Sequence, residues 1–402
     1  MKNIILPDFV LLLINKLQSF GYEAYAAGGC VRDLIMQKTP SDYDIATSAK
    51  PEQVIEALHP LQIIETGIKH GTVTVLINGY SVEVTTFRNE GNYLNNRRPE
   101  SVSFDAGVFE DTSRRDFTIN AMMYTPQKGI IDYHGGIEDI NKKLIRCVGN
   151  ADERFNEDAL RILRALRFAS CLGFDIEKST ATAALKSCHL LHNISAERIT
   201  SEFRKLICGV NAKKVISDNF EIIKSFIPAL NVKRDYIAAV IDACPKKDYL
   251  RLAALFRYSD NTIPNKLKLD NITKSKIQML LCYFDENIPA EKYVIKTYMR
   301  KISPTLLFDL LDLQIAERVV AQSSTSDITH VKELVQQILE QNECYTLSML
   351  AFDGNDLIKN NIAEGKDIGV VLENLLDAVI KESVPNEKQA LLQYATTLVK
   401  NH

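Results

Sequence analysis

Glu23-Ala24-Tyr25-Ala26-Ala27-Gly28-Gly29-Cys30-Val31-Arg32-Asp33 sets a short strand-like run, a glycine pair and a helix-like run in immediate succession. Two glycines at such a junction let the backbone turn with its N–H groups exposed, a nest for phosphate oxygens to which Arg32 can add charge. Thirteen residues beyond Gly29 comes Ser41-Asp42-Tyr43-Asp44-Ile45. Residues two apart on a strand share a face, so Asp42 and Asp44 present adjacent carboxylates while Tyr43 and Ile45 face the other way. Two ionised carboxylates that close repel each other and rise in pKa unless a cation sits between them. Oxygen-only ligands suit Mg2+, which keeps several waters and binds substrate phosphates as well. A glycine pair alone, or an Asp-x-Asp alone, is ordinary turn chemistry. Their succession, with the arginines that follow, points to metal-dependent phosphoryl chemistry.

Outward from this core, Pro7 and Asp8 mark the start of a helix over 8–20. Thr72-Val73-Thr74-Val75-Leu76-Ile77 and Tyr80-Ser81-Val82-Glu83-Val84-Thr85 flank Asn78-Gly79, a dipeptide that reads as a two-residue hairpin turn. Glu83, on the same side as Ser81 and Thr85, is a candidate third carboxylate. The first third is therefore α/β, with at least one antiparallel pair. From Asp152 onward apolar residues recur at helical spacing, as in Ala159, Leu163, Leu166 and in Val331, Leu334, Val335, Ile338. Breaks at Ile227-Pro228, Cys244-Pro245, Ile263-Pro264, Ser303-Pro304 and Asp353-Gly354 divide this remainder into helical hairpins. The fold class expected is α+β: an α/β head with a small mixed sheet, followed by an all-helical remainder.

A chain of 402 residues with 46% hydrophobic content has core enough for two or more domains. Its net charge of -3 excludes a uniformly basic nucleic-acid binder, so a polyanion must be met by local Lys/Arg patches. The eight cysteines are scattered, without a C-x-x-C pair, and read as reduced thiols of a cytoplasmic protein. The apolar run from Phe9 to Ile14 is too short to span a bilayer, and neither a membrane segment nor an export signal is expected. No protein partner is predicted.

Two later segments carry charge in a pattern. In Arg114-Arg115-Asp116-Phe117-Thr118-Ile119-Asn120-Ala121, Arg115 offers the fixed fork of donors that suits a nucleotide phosphate or sugar. The spacing of 156–168 predicts one amphipathic helix, on which Asp158, Arg161 and Arg164 fall within an arc of about 120° and Arg167 lies roughly 60° further round. Either this is a solvated face with an Asp–Arg i,i+3 pair, or it is a base-reading edge. Cytosine and adenine both set an exocyclic amino donor beside a ring-nitrogen acceptor. Asp158 can accept from the first while Arg161 donates to the second. Uracil and guanine reverse that pattern, so such a pair selects C and A without a nucleic-acid template.

The order of the glycine turn with Val-Arg-Asp, Asp-x-Asp, Arg-Arg-Asp-Phe-Thr-x-Asn-Ala and Glu-Asp-x-x-Arg-x-x-Arg-Ala-x-Arg-Phe resembles the class II tRNA nucleotidyltransferases (CCA-adding enzymes) and their bacterial poly(A) polymerase relatives. Ile194-Ser195-Ala196-Glu197-Arg198-Ile199 looks like the family's helical element at the end of the neck, and Asp353-Gly354-Asn355-Asp356-Leu357 and Gly365-Lys366-Asp367-Ile368-Gly369 resemble its tail. The resemblance implies a head (1–148), a neck carrying base recognition (149–207), a body (208–330) and a tRNA-binding tail (331–402). It implies that Asp42 and Asp44 hold two Mg2+ ions, that Gly29, Arg32 and Arg115 face the triphosphate and sugar, that Asp158 and Arg161 read the base, and that Arg164 and Arg167 assist. The reaction implied adds C, C and A to tRNA 3′ ends from CTP and ATP with release of pyrophosphate, one metal activating the 3′-hydroxyl and the other stabilising the leaving group. The stretch Arg88–Phe104 resembles the family's flexible loop, with Asn95 standing where an acidic residue is expected. Poly(A) synthesis, addition of A alone, and small-molecule nucleotidyl transfer are the competing activities.

Overall fold

The structure, a computed structural model, describes residues 4–91, 93–94, 98–99, 102–259 and 267–400. Helix α1 (Asp8–Ser19) buries Val10, Leu13, Ile14 and Leu17, the i, i+3, i+4, i+7 stripe of an amphipathic helix. Strand β1 (Ala24–Ala27) runs into Gly28 and then α2 (Gly29–Ile35), and β2 (Tyr43–Thr47) follows. Gly28 has φ +74°, a left-handed conformation that favours glycine, and its N–H donates to the Met122 carbonyl at 3.1 Å. Next come α3 (Pro51–Leu58), β3 (Gln62–Ile64), β4 (Thr72–Ile77) and β5 (Tyr80–Thr86). The β4–β5 hairpin closes at Asn78 (φ 50°) and Gly79 (φ 80°), the paired positive dihedrals of a type I′ turn. Helix α4 (Val108–Ser113), β6 (Met123–Thr125), β7 (Gly129–Ile131) and α5 (Gly136–Lys142) complete the head.

The seven strands form one mixed sheet in the order β7-β6-β1-β2-β5-β4-β3. All pairings are antiparallel except that of β2 with β5, which is parallel. Register sets Ala27 opposite Asp44 and Asp44 opposite Glu83, so these share a sheet face. Tyr25, Ala27, Ala46, Phe87 and Met123 make a buried apolar cluster on that face, and the carboxylates stand at its end. Within the expected flexible loop, Asn89–Glu90 pairs with Val102–Ser103 and Tyr93–Leu94 with Arg98–Pro99. Asn95, the position that departs from the family pattern, lies outside the described residues.

The expected single helix over 156–168 is two helices, α6 (Ala151–Glu157) and α7 (Leu160–Leu172). Asp158 adopts an extended conformation between them and its Oδ1 accepts the Leu160 N–H at 3.1 Å. Aspartate caps helix starts better than it sits within helices, and here the cap overrides the periodicity. Nor is the charged face of α7 solvated: Arg161 is buried, and Arg164 and Arg167 are half-buried. The chain continues through α8 (Lys178–Ser187) and α9 (Ala196–Ile207). One short parallel pair, Leu144–Ile145 with Asp175–Ile176, interrupts the otherwise helical character after Asp152.

The chain divides into two compact units, one to Leu230 with Leu267 and Lys268 returning to it, the other comprising Asn231–Ile263 and the rest from Leu269. The described elements of the second unit are helical, and its C-terminal part is built around Phe352, Leu357, Leu375, Leu376, Leu391 and Ala395. The expected breaks take effect at helix ends: a helix stops at Phe226 before Pro228, another at Ala243 before Pro245, and Pro304 and Gly354 each open a new one. The fifth, Ile263-Pro264, is outside the described residues. No helix among the described residues is long and apolar enough to cross a membrane.

Candidate active site

The glycine turn sits between two guanidinium groups. A Cβ on Gly28 would lie 2.9 Å from Arg115 Nη1, and one on Gly29 would lie 3.7 Å from Arg32 Nη2. Because the Gly28 N–H is engaged by Met122, any phosphate-facing N–H belongs to Gly29 and the residues after it. Asp44 enters this site from β2, with Asp42 just before the strand and Glu83 beside it on β5. Burial, then the charges on Asp42 and Glu83, push the Asp44 carboxyl up to about 6, with Arg115 opposing them. Repulsion from Asp42 and Glu83 thus adds to burial at Asp44, and a cation there would relieve it. The donor set is oxygen alone. Among the described residues no group of three Asp, Glu, His or Cys side chains closes into a cage. Such an open pair of carboxylates fits an ion that takes its other ligands from water and substrate phosphates. Cys30, beneath the turn, is no nucleophile, because burial pushes its thiol up to about 11.

Each arginine singled out in the sequence is held by a particular acid, Arg32 by the neighbouring Asp33 at 2.8 Å. Asp111, buried on α4, accepts from Arg114 Nε at 2.9 Å and from Arg115 Nη2 at 3.0 Å. Burial alone would raise its carboxyl, but Arg115 and Arg114 hold it below the ordinary carboxylate range. Arg32 Nη1 donates to Asn120 Oδ1 at 2.7 Å, Asn120 Nδ2 donates to Asp116 Oδ1 at 3.2 Å, and Arg164 Nε donates to Asp116 Oδ2 at 2.8 Å. Asp116 and Asn120 thus clamp α7 to the glycine turn. Arg167 pairs with Glu202 at 2.6 Å. The guanidinium carbons of Arg32, Arg164 and Arg167 lie 5.3, 5.4 and 3.9 Å from the centroid of the Phe168 ring, which attracts cations.

The structure does not pair Asp158 with Arg161. Asp158 accepts from Arg198 Nη2 at 2.8 Å and Nη1 at 3.3 Å. Arg161 pairs with Glu157, and donates to the Arg154 carbonyl at 3.2 Å and the Arg114 carbonyl at 3.0 Å. The two residues flank the α6–α7 elbow, each oriented by another partner. Sequence reasoning passed over those partners: Asp111, Asp116, Glu157, Glu202 and Arg198. Two were legible, since Asp111 precedes Arg114 and Arg115 by three and four residues and Glu157 precedes Arg161 by four. Arg198 is forty residues from Asp158, with no local signal.

Comparison with known proteins bears on the whole chain. Residues 24–146 match the family described as "Poly A polymerase head domain", 173–232 the RNA and SrmB-binding site of polymerase A, and 258–395 the tRNA nucleotidyltransferase domain 2. The chain is 36% identical to a CCA-adding enzyme of Leuconostoc citreum over 392 residues, covering 97% of this chain and 96% of that one. It is 34% identical to a CCA-adding enzyme of Lactobacillus delbrueckii subsp. bulgaricus over 394 residues, covering 95% and 96%. Among solved structures, the CCA-adding enzyme of Bacillus stearothermophilus in complex with CTP superposes with a TM-score of 0.77 at 29% identity, covering 99% of this chain and all of that one.

Proposed function

Because this chain belongs to the CCA-adding enzyme family, we propose that it completes tRNA 3′ ends, adding C, C and A from CTP and ATP with release of pyrophosphate. Nucleotidyl transfer in this family is metal-dependent, and we assign the metal as Mg2+, held by Asp42 and Asp44. The observation that carries the reading is the meeting of Asp44, Glu83, the glycine turn and Arg115 at one end of the sheet, with Asp44 raised to about 6. When bound, a divalent ion supplies charge neutralisation at the phosphoryl group and an acidified attacking hydroxyl.

The remaining work falls to the protein's own groups. Asp44, with its carboxyl at about 6, is mostly ionised at neutral pH and with Asp42 would hold the cation, which would offset their mutual repulsion. Arg115 and Arg32, on either side of Gly28-Gly29, set positive charge where the triphosphate develops negative charge on departure, and Gly29 leaves the space for it. Asp158 accepts from the exocyclic amino group of C or A and Arg161 donates to the ring nitrogen, with Arg198 and Glu157 fixing their orientation. Arg164 keeps α7 in register with the turn through Asp116, and Arg167 ties α7 to α9 through Glu202. We place the activity in the cytoplasm, in keeping with the scattered thiols and the tRNA substrate.

The test is incubation with tRNA lacking its 3′ end and CTP or ATP, singly and together, with sequencing of the product. C-C-A with both nucleotides and C-C with CTP alone are expected. Failure to incorporate C refutes the reading, and runs of A from ATP alone would make the enzyme a poly(A) polymerase.

A further inference from the structure

Helix α4 carries Phe109, 53% exposed, and the turn before α5 carries Tyr133, 55% exposed. The two rings meet edge to face at 5.4 Å, and the His134 ring lies 5.9 Å from Phe109 at a 30° tilt. Large rings left this open are usually mobile, yet these are fastened from behind. The Asp132 carboxylate accepts the N–H groups of Gly136 at 2.8 Å, Ile137 at 2.9 Å and His134 at 3.3 Å, which fixes the turn that presents Tyr133. His134 Nε2 lies 3.1 Å from Thr112 Oγ1, and the Thr112 hydroxyl donates to the Phe109 carbonyl at 2.9 Å. Thr112 having used its proton, His134 is the donor, and burial lowers its pKa so that the ring is neutral at pH 7. The result is a rigid, uncharged aromatic surface.

At its foot opens a cleft of about 240 Å3 lined by Asn89, Phe109, Glu110, Arg114, Arg154 and Glu157. Glu157 is the residue that orients Arg161, and the Arg114 carbonyl is bonded to Arg161 as well, so the cleft adjoins the elbow assigned to the incoming base. The other end of α4 leads directly into Arg115 and the acidic site. Chain extension requires the last base of the acceptor strand to lie beside the incoming nucleotide, and unpaired bases are gripped by stacking on aromatic faces next to cationic grooves. We propose that Phe109, Tyr133 and His134 form the stacking platform for the unpaired 3′-terminal bases of the tRNA being extended. This rests on the CCA-adding reading.

The test compares wild type with Phe109→Ala, Tyr133→Ala and the double variant, alongside Phe109→Tyr and Tyr133→Phe, on tRNA ending before the first added C and on the same tRNA with an abasic terminal residue. Loss of one stacked base corresponds to a rise in KM for tRNA on the order of 10- to 100-fold, with KM for CTP little changed. The conservative variants retain wild-type KM, which separates stacking from misfolding. The abasic tRNA should weaken wild type to the level of the double variant while leaving the double variant unaffected. Wild-type KM for tRNA in the double variant overturns the platform, as does a full abasic penalty in that variant. Loss of self-association with RNA binding intact would assign the surface to a second copy of the chain and also overturn it. If wild type itself adds no C, the functional reading fails instead, so the two failures are distinct.

Discussion

Replacing Asp44 by Asn removes a carboxylate that the free protein holds at a cost. Burial and the charges on Asp42 and Glu83 raise its folded-state pKa from 3.8 to about 6. Between these values the folded chain keeps a proton that the unfolded chain has released, so wild-type stability falls as pH rises through that window and is level above it. At about 1.4 kcal/mol per factor of ten, the deficit above the window is about 3 kcal/mol. Asn, neutral throughout, has no such deficit. In chelator at pH 8, Asp44→Asn should therefore be inactive yet more stable than wild type by about 3 kcal/mol, narrowing to about 1 kcal/mol at pH 4.5. Urea unfolding followed by circular dichroism at the two pH values measures this. Saturating Mg2+ at pH 8 should close the gap by stabilising wild type alone. A variant no more stable than wild type at pH 8, or a gap that does not change with pH, refutes the account of the acidic site.

Glu83→Gln removes one of the charges raising Asp44, so the acid limb of the kcat/KM profile should move to lower pH, and a profile unmoved would take Glu83 out of the site. Gly28→Ala sets a Cβ 2.9 Å from Arg115 Nη1 at a residue with φ +74°, and should cost about 1–2 kcal/mol of stability and at least about tenfold in kcat/KM, read by thermal melting and steady-state kinetics. Arg198→Ala leaves Asp158 without its bonds of 2.8 and 3.3 Å, so kcat/KM for CTP and ATP should fall on the order of tenfold while incorporation of U rises. Unchanged discrimination among the four nucleotides would place base reading elsewhere.

The parts of this molecule that were legible in its sequence are those set by neighbours in the chain. Strand, glycine turn and helix at 24–35 follow from local composition, and the Asn78-Gly79 hairpin from turn stereochemistry. The β2–β5 pairing that sets Glu83 beside Asp44 joins residues 39 apart through a parallel register that no local pattern specifies, so Glu83 was readable only as a candidate. The α6–α7 region misled for a different reason. Its 3.6-residue periodicity is real on both sides of Asp158, and a capping hydrogen bond to Leu160 redirects the chain without disturbing that pattern. Arginines at helical spacing look the same in sequence whether water or a buried carboxylate receives them.

That ambiguity also explains how a chain of net charge -3 can take a polyphosphate and an RNA end. Its site arginines are already paired, so substrate phosphates must compete with protein carboxylates, and the arginine held most loosely will turn first. Arg161 has an ion pair and two carbonyl acceptors, and Arg164 makes two contacts to Asp116. Arg115 has one good bond to Asp111, a long one of 3.4 Å to the Asn120 carbonyl, and a buried Nε with no hydrogen-bond partner among the described residues. An unpaired buried N–H costs about 1–3 kcal/mol, which an arriving oxygen recovers. Of Arg115, Arg161 and Arg164, Arg115 is thus the one poised to meet a phosphate, and it already stands against Gly28 and acts on Asp44.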